Sequence, residues 1–257
     1  MVKERSKFLI WLRKSLKIQT LFIYLVHFNS LSGAIESKKK LCFHFDKIEV
    51  RGAISVFVEP GKRNRQVEYF ADSSIINSIT TEVRNRTLYI DANNSFSLSR
   101  VIPLLRISAQ RVFPIEVIVS VEKIKEIRLL EQSSLSVKKV SGDEIKLFSN
   151  STGFLNGSDL RCDKIKVQHE GSGEITLKGR EVLHLDAQLY GSGSLKCEEL
   201  FLKDAIVNHY GKGNIFIAPS NWLDARIHQS GNLHLLEKPA GRVIKIKGNG
   251  GSLIEEY

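Results

Sequence analysis

Cysteine is scarce: 257 residues contain three, Cys42, Cys162 and Cys197. Their odd number and irregular spacing exclude a disulfide framework and a zinc site, and small buried apolar residues are the expected role. Long apolar runs are also missing. After residue 34 no stretch approaches the roughly 20 apolar residues needed to cross a bilayer, so the mature chain is expected to lack a transmembrane segment. There is no Gly-x-Ser-x-Gly elbow, no His-Glu-x-x-His, no Gly-Gly-x-Gly-x-Asp calcium repeat and no EF-hand loop. No cofactor or metal is therefore expected. Without a recognition motif, nucleic acid is not an expected partner either.

The surplus of positive charge is smaller than the formal +10 implies. Residues 1–34 carry Lys3, Arg5, Lys7, Arg13, Lys14 and Lys17 against Glu4 alone, and removing them leaves 32 basic and 27 acidic residues. This basic stretch precedes the apolar run Leu21-Phe22-Ile23-Tyr24-Leu25-Val26 and then Ser32-Gly33-Ala34, a small-x-small cleavage pattern. That order predicts a signal peptide over 1–34 and an exported chain starting near Ile35, in the periplasm, on the outer-membrane surface or secreted. An uncleaved anchor or a buried helix is the alternative reading.

What is present is a repeat. Gly153, Gly173, Gly193 and Gly213 stand 20 residues apart, Gly231 follows after 18 and Gly251 after another 20, with Ser133 as a degenerate copy before them. Gly171, Gly191 and Gly211 double the marker into Gly-x-Gly. Eight and six residues before the markers stand Ile145/Leu147, Ile165/Val167, Leu185/Ala187, Ala205/Val207 and Leu223/Ala225, with Val243 opening the last set. After them come Leu155, Ile175/Leu177, Leu195/Cys197, Ile215/Ile217, Leu233/Leu235 and Leu253. Strict alternation means strands with one buried face. A fixed period near 20 means stacked coils that cannot bury that face alone.

The expected fold is therefore all-β, a right-handed parallel β-helix or β-solenoid of roughly 30 Å length, preceded by a short N-terminal β region. The glycines are the corners where backbones stack closely, with positive φ expected at Gly191 and Gly193. A phosphate-cradling loop would need a helix after the glycines, whereas "GSGSLKCEEL" continues as a strand.

Residues 45–92 alternate as strands broken at Pro60-Gly61 and Asn85-Arg86. Gly52-Ala53-Ile54 copies the corner frame, so the solenoid is expected to start there. Residues 93–113 interrupt the pattern, and "PIEVIVSV" at 114–121 resumes it. One domain over 35–257 is predicted, with N-terminal strands and a capping segment over 35–125 and repeat coils over 126–257.

This arrangement resembles the head GIN domain family, described as putative auto-transporter adhesin. The resemblance rests on "FDKIEVRGAISVFVEPG" (45–61), "ITTEVRNRTLYI" (79–90), "PIEVIVSVEKIKEIRLLEQSSLSV" (114–137) and the Gly-x-Gly corners. It implies an exported bacterial β-helix with no catalytic or binding residues to carry over. No barrel of alternating strands and no coiled-coil stalk is read in residues 35–257, so self-translocation is not expected.

Three outward constellations are candidates for function. Asn150, Glu170, Tyr190, Tyr210 and His228 share one place, three before the corner glycine, and Tyr190, Tyr210 and His228 form a strip where a sugar ring could lie. An aromatic ladder that merely stabilises stacking has the same pattern. Asp186, Asp204 and Asp224 recur as Asp-Ala pairs, the carboxylate cluster of a polysaccharide hydrolase or lyase, although Asp204 falls two places out of register. Arg100, Arg106 and Arg111 flank Val101-Ile102-Pro103-Leu104-Leu105, expected to cap the open end rather than grip an acidic polymer. His169 and His209 share a register two coils apart, too far to hold one ion. The expectation is a non-enzymatic binding or adhesion module, with a glycan or a surface protein as partner. The alternatives are a polysaccharide-acting enzyme and an envelope protein that self-associates as a homo-oligomer through its end coils.

Overall fold

The computed structural model describes residues 34–257 apart from 62–64, 74, 93–94, 103–104, 113 and 248–249. The leader read over 1–34 thus lies outside the described residues, save Ala34. The remainder is nearly all strand and winds into a β-solenoid of about 6 turns.

The N-terminal strands are β1 (Ile35–Leu41), β2 (Lys47–Gly52), β3 (Ser55–Pro60), β4 (Gln66–Asp72), β5 (Ile79–Arg84), β6 (Thr87–Ala92), β7 (Ser95–Ile102), β8 (Leu105–Val112) and β9 (Glu116–Val121). The repeat coils follow as β10 (Glu126–Glu131), β11 (Ser134–Lys138), β12 (Ser141–Ser151), β13 (Phe154–His169), β14 (Glu174–Leu189), β15 (Ser194–His209), β16 (Ile215–Ile227), β17 (Leu233–Leu235), β18 (Gly241–Ile246) and β19 (Leu253–Glu255).

Stacking order differs from chain order at the start. β2 lies parallel to both β6 and β10, and β3 to both β9 and β11. The β6/β9 coil is therefore the first rung, below β2/β3, although it comes later in sequence. At its free edge β4 joins β9 and β5 joins β6 antiparallel, and β1 adds to β4. These strands occupy the edge, where the sequence reading gave the cap to 93–113. That segment supplies β7 and β8, an antiparallel pair that among the described residues is bonded to no other strand and that is inserted where β6 passes to β9. The side chains of Arg100, Arg106 and Arg111, and all of Leu104, lie outside the described residues. β1 meets solvent along its whole length and carries Lys38-Lys39-Lys40, charges that discourage a second chain from pairing with an open edge.

From β12 onward the parallel register advances by 20: Ile145 faces Ile165, then Leu185, then Ala205. The apolar alternants of both sides are buried, each Leu, Ile or Val contributing roughly 1.5–3 kcal/mol. A third side carries two columns of its own, Leu160, Gly179 and Leu200 in one and Cys162, Val182 and Leu202 in the other, which the sequence reading did not separate. The shortening to 18 residues falls on this side. Leu195 still faces Ile215, but Leu202 faces Pro219 and Asp204 faces Trp222. Cys162 and Cys197 are free and pack as apolar residues, burial pushing the Cys162 thiol up to about 12 and Cys197 in the same direction. Packing is dense: an interior gap between Ile127, Leu147 and Leu177 has a volume of only 10 Å³, at the lower limit for a single water.

The last coil slips by one residue. Ile244, not Val243, faces Ala225, and Val243 turns outward at 39% exposure. The step from Ile227 to Ile246 is 19 residues, which the count back from Gly251 cannot reveal. The slip brings Arg242 into the column of Leu223, where it pairs with Glu255 and hydrogen-bonds Tyr257. A polar bridge thus closes the C-terminal end.

Positive φ is not what the corner glycines supply. Among the described residues only Gly52 (φ 96) and Gly250 (φ 118) are glycines with positive φ. The requirement is space. A Cβ on Gly173 would stand 1.8 Å from the carbonyl oxygen of Gly153, and one on Gly193 would stand 2.0 Å from that of Gly173. The same clash recurs at Gly153, Gly171, Gly191, Gly211, Gly213, Gly231 and Gly251. Backbone bonds lock this approach, as in Gly173 N–H to Ser151 O at 3.0 Å and Gly193 N–H to Gly171 O at 3.1 Å.

Two buried histidines tie the corner from inside. His209 is fully buried; its Nε2 donates to Gly213 O at 2.7 Å and its Nδ1 accepts from Gly211 N–H at 3.3 Å, which fixes a neutral ring. His169 sets Nε2 2.9 Å from Gly173 O and Nδ1 3.2 Å from Ser149 O.

Gly173→Ala is expected to cost at least about 3 kcal/mol, because backbone must move in two coils, while Gly142→Ala, with its nearest neighbour 3.8 Å away, stays within about 1 kcal/mol. Urea denaturation of the two variants checks this. Burial lowers the pKa of His209, so the unfolded chain takes up the proton first. Its contribution is whole above about pH 6.5 and is lost as pH falls toward the lowered folded value. Denaturation midpoints should therefore drop from pH 7.5 to 5.5 less in His209→Leu than in the parent protein. Equal drops would contradict this.

Candidate functional site

Each coil delivers its side chains at the same height, because the residue entering the corner is pinned to the coil before it. The N–H groups of Tyr190, Tyr210 and His228 donate to the carbonyls of His169, Leu189 and His209 at 2.8, 2.7 and 2.8 Å. Their rings consequently stack. Tyr190 and Tyr210 lie 5.1 Å apart at 5°, and Tyr210 and His228 lie 4.3 Å apart at 16°. Glu170 and Asn150 continue the column on earlier coils. Tyr190, at the end of the rings, is 46% exposed.

Beside this column runs one of amides, Gln168, Gln188 and Asn208, paired in register on neighbouring strands. Sequence reading missed it, although the 20-residue count would have found it. Gln168 Nε2 donates to Glu170 Oε1 at 2.7 Å, and Tyr190 Oη donates to Gln188 Oε1 at 3.1 Å. Next to the amides is a shallow recess lined by Arg128, Phe148, Lys166, Asp186 and others, with Arg128 over the Phe148 ring at 5.3 Å. A second stacked pair, Phe216 and His234 at 4.2 Å, lies beyond the corner on β16 and β17, with His234 Nδ1 bonded to Glu256 at 2.6 Å.

The three aspartates are not brought together. Asp186 and Asp224 share a column, but Ile206 stands between them, and Asp204 belongs to the column of His184 and Trp222. Each carboxylate also has its own partner. Asp186 meets Lys164 at 3.7 Å, Asp204 meets His184 at 3.1 Å and Asn221 at 2.7 Å, and Asp224 meets Arg226 at 2.8 Å. A general acid facing a base across a cleft is not among these arrangements.

Another recess lies near the N-terminal end, between Asn85-Arg86 and the strands after β9. Its centre is Asp46, 5% exposed, with Oδ2 2.8 Å from Arg86 and 3.2 Å from Lys125. Asp46 N–H also donates to Arg86 O, and Lys125 N–H to Asp46 O, so the group clasps the β5–β6 turn to the coil. Among the described residues no group of three or more His, Cys, Asp or Glu could hold a metal ion.

Similarity to known proteins follows this architecture. A putative adhesin of Bacteroides fragilis superposes with a TM-score of 0.74 at 15% identity, covering 86% of this chain and 97% of that one. A putative adhesin of Parabacteroides merdae gives 0.57 at 19% identity over 86% and 96%. A protein of Parabacteroides distasonis titled a putative lipid binding protein gives 0.64 at 18% over 86% and 97%. At such identities these likenesses show the fold alone. No curated protein matches the sequence. The family described as putative auto-transporter adhesin, head GIN domain, matches residues 44–239. Most of the chain is thereby covered, and the protein belongs to the head GIN domain family.

Proposed function

We propose that this protein is an exported, non-enzymatic adhesin-like module that binds a surface glycan through the face bearing Tyr190, Tyr210 and His228. The observation that carries the reading is the stacked ring column: polar-tipped aromatic groups, one of them nearly half exposed, held in a row by backbone bonds. Aromatic side chains with a polar tip are the groups that hold amphipathic ligands at low cost in conformational entropy. Family membership supports a surface role, and the basic-apolar-small leader supports export. The separately paired aspartates support binding without turnover.

The test is retention of the purified protein on a panel of immobilised bacterial and host polysaccharides, with chain length read in the same assay. Retention without shortening is expected. Replacing Tyr190 and Tyr210 together with Ala should weaken retention roughly tenfold or more while the protein stays folded. Shortening of the polymer would contradict the reading and direct attention to Asp186, Asp204 and Asp224.

A further inference from the structure

The ring column has a consequence for where a sugar can sit, taking the glycan-binding reading above as its basis. Rings on successive coils that are parallel within 5° and 16° turn their faces toward one another. Both faces of Tyr210 are then covered, one by Tyr190 and the other by His228. A sugar stacks its C–H groups on the electron-rich face of an aromatic ring, not on its edge. Of the two tyrosines, only Tyr190, 46% exposed, is stacked by a ring on one side alone; its other face turns toward the coil of Glu170.

The polar groups around that face are those of an uncharged, hydroxylated ligand. Gln168 has committed its Nε2 to Glu170 and Gln188 has committed its Oε1 to Tyr190. An amide oxygen on Gln168 and an amide N–H2 on Gln188 remain, an acceptor and a donor on adjacent coils, which together match vicinal hydroxyls. The cations nearby are already neutralised: Lys166 by Glu144 at 2.9 Å, Lys164 by Asp186, and Arg128 by Glu126 at 2.5 Å. Glu170 has no ion-pair partner among the described residues and precedes Tyr190 in the same column, so an acidic sugar would meet like charge there. A recess of about 370 Å³ that includes Phe148, Lys166, Gln168, Asp186 and Gln188 lies on the other side of the amides from Tyr190, giving a neighbouring unit of a polymer somewhere to lie.

We infer that the outer part of the Tyr190 ring, flanked by Gln168, Gln188 and Glu170, is a subsite for one sugar unit of a neutral polysaccharide. Tyr210 and His228 act behind it as the stack that holds the ring upright.

The experiment measures binding of the protein, expressed from its full sequence, to dextran, mannan and cellohexaose as neutral probes and to alginate and polygalacturonate as acidic ones. Parent protein, Tyr190→Ala, Tyr210→Ala and the double variant Gln168→Ala/Gln188→Ala are compared, each with a thermal melt. Expected is binding to at least one neutral probe that changes little with salt. Tyr190→Ala and the amide double variant should lose roughly tenfold, and Tyr210→Ala no more than about threefold. If Tyr190→Ala misfolds, the amide variant decides. Neutral binding that survives both Tyr190→Ala and the amide variant overturns the subsite but not the glycan-binding function. Preference for the acidic probes overturns the neutral class. Binding to none of the probes sinks the proposed function together with the subsite.

Discussion

Everything in this molecule depends on a carbonyl oxygen sitting where a side chain would otherwise begin. At each corner the backbone of one coil lies on the missing Cβ of the next, and a methyl group there would stand about 2 Å from that oxygen. Parallel strands need their neighbours within about 4.8 Å, and a corner that carried side chains could not close to that spacing. Glycine is required for closeness rather than for an unusual dihedral. The buried imidazoles of His169 and His209 complete the arrangement by satisfying carbonyls that the turn would leave unpaired in the interior.

A close-stacked corner also decides what the surface can be. Once the corner fixes the height of each coil, an outward position becomes a column, and a residue type repeated every 20 positions becomes a row with regular spacing. The aromatic column is one such row, the amide column another. Charged columns behave similarly but neutralise themselves, as Lys166 does with Glu144 and Lys196 with Glu174 at 2.7 Å on adjacent coils. Exposed pairs of this kind add little stability. Their larger effect is to pair off the cations beside the ring column, which is the ground for proposing an uncharged ligand there.

Much of this was legible in the sequence, because the period is carried by residues that cannot be replaced. Glycine at the corner and Ile, Leu or Val at the alternants recur wherever the coil is regular, so the buried columns on two sides could be written down directly. The third side escaped because the register shifts between Gly157 and Leu160, and again between Cys197 and Leu202, break a simple count. Lys139 (φ 54) and Asp159 (φ 57) turn the chain with positive φ and no glycine to advertise it. The last coil misled for a similar reason: a step of 19 from β16 to β18, made up by one extra residue before the corner, sent Val243 outward and Arg242 to the end of the stack. The first rung was hidden altogether, since β6 and β9 reach it only after the chain has built β2 and β3 above. At the candidate site, Tyr190, Tyr210 and His228 were visible as a column. That Tyr210 has no free face depends on ring planes, which no spacing reveals.

The most direct test of the account is native-state hydrogen exchange at the corner amides. Gly173, Gly193 and Gly231 donate to Ser151, Gly171 and Gly211 on the preceding coil. If the corners hold the stack, these amides exchange only by global unfolding, as slowly as those of Leu185 or Val207 in the buried strands. Exchange at loop-like rates, with the strands still protected, would show that the strands alone hold the coils together and would contradict the central role given to the corners.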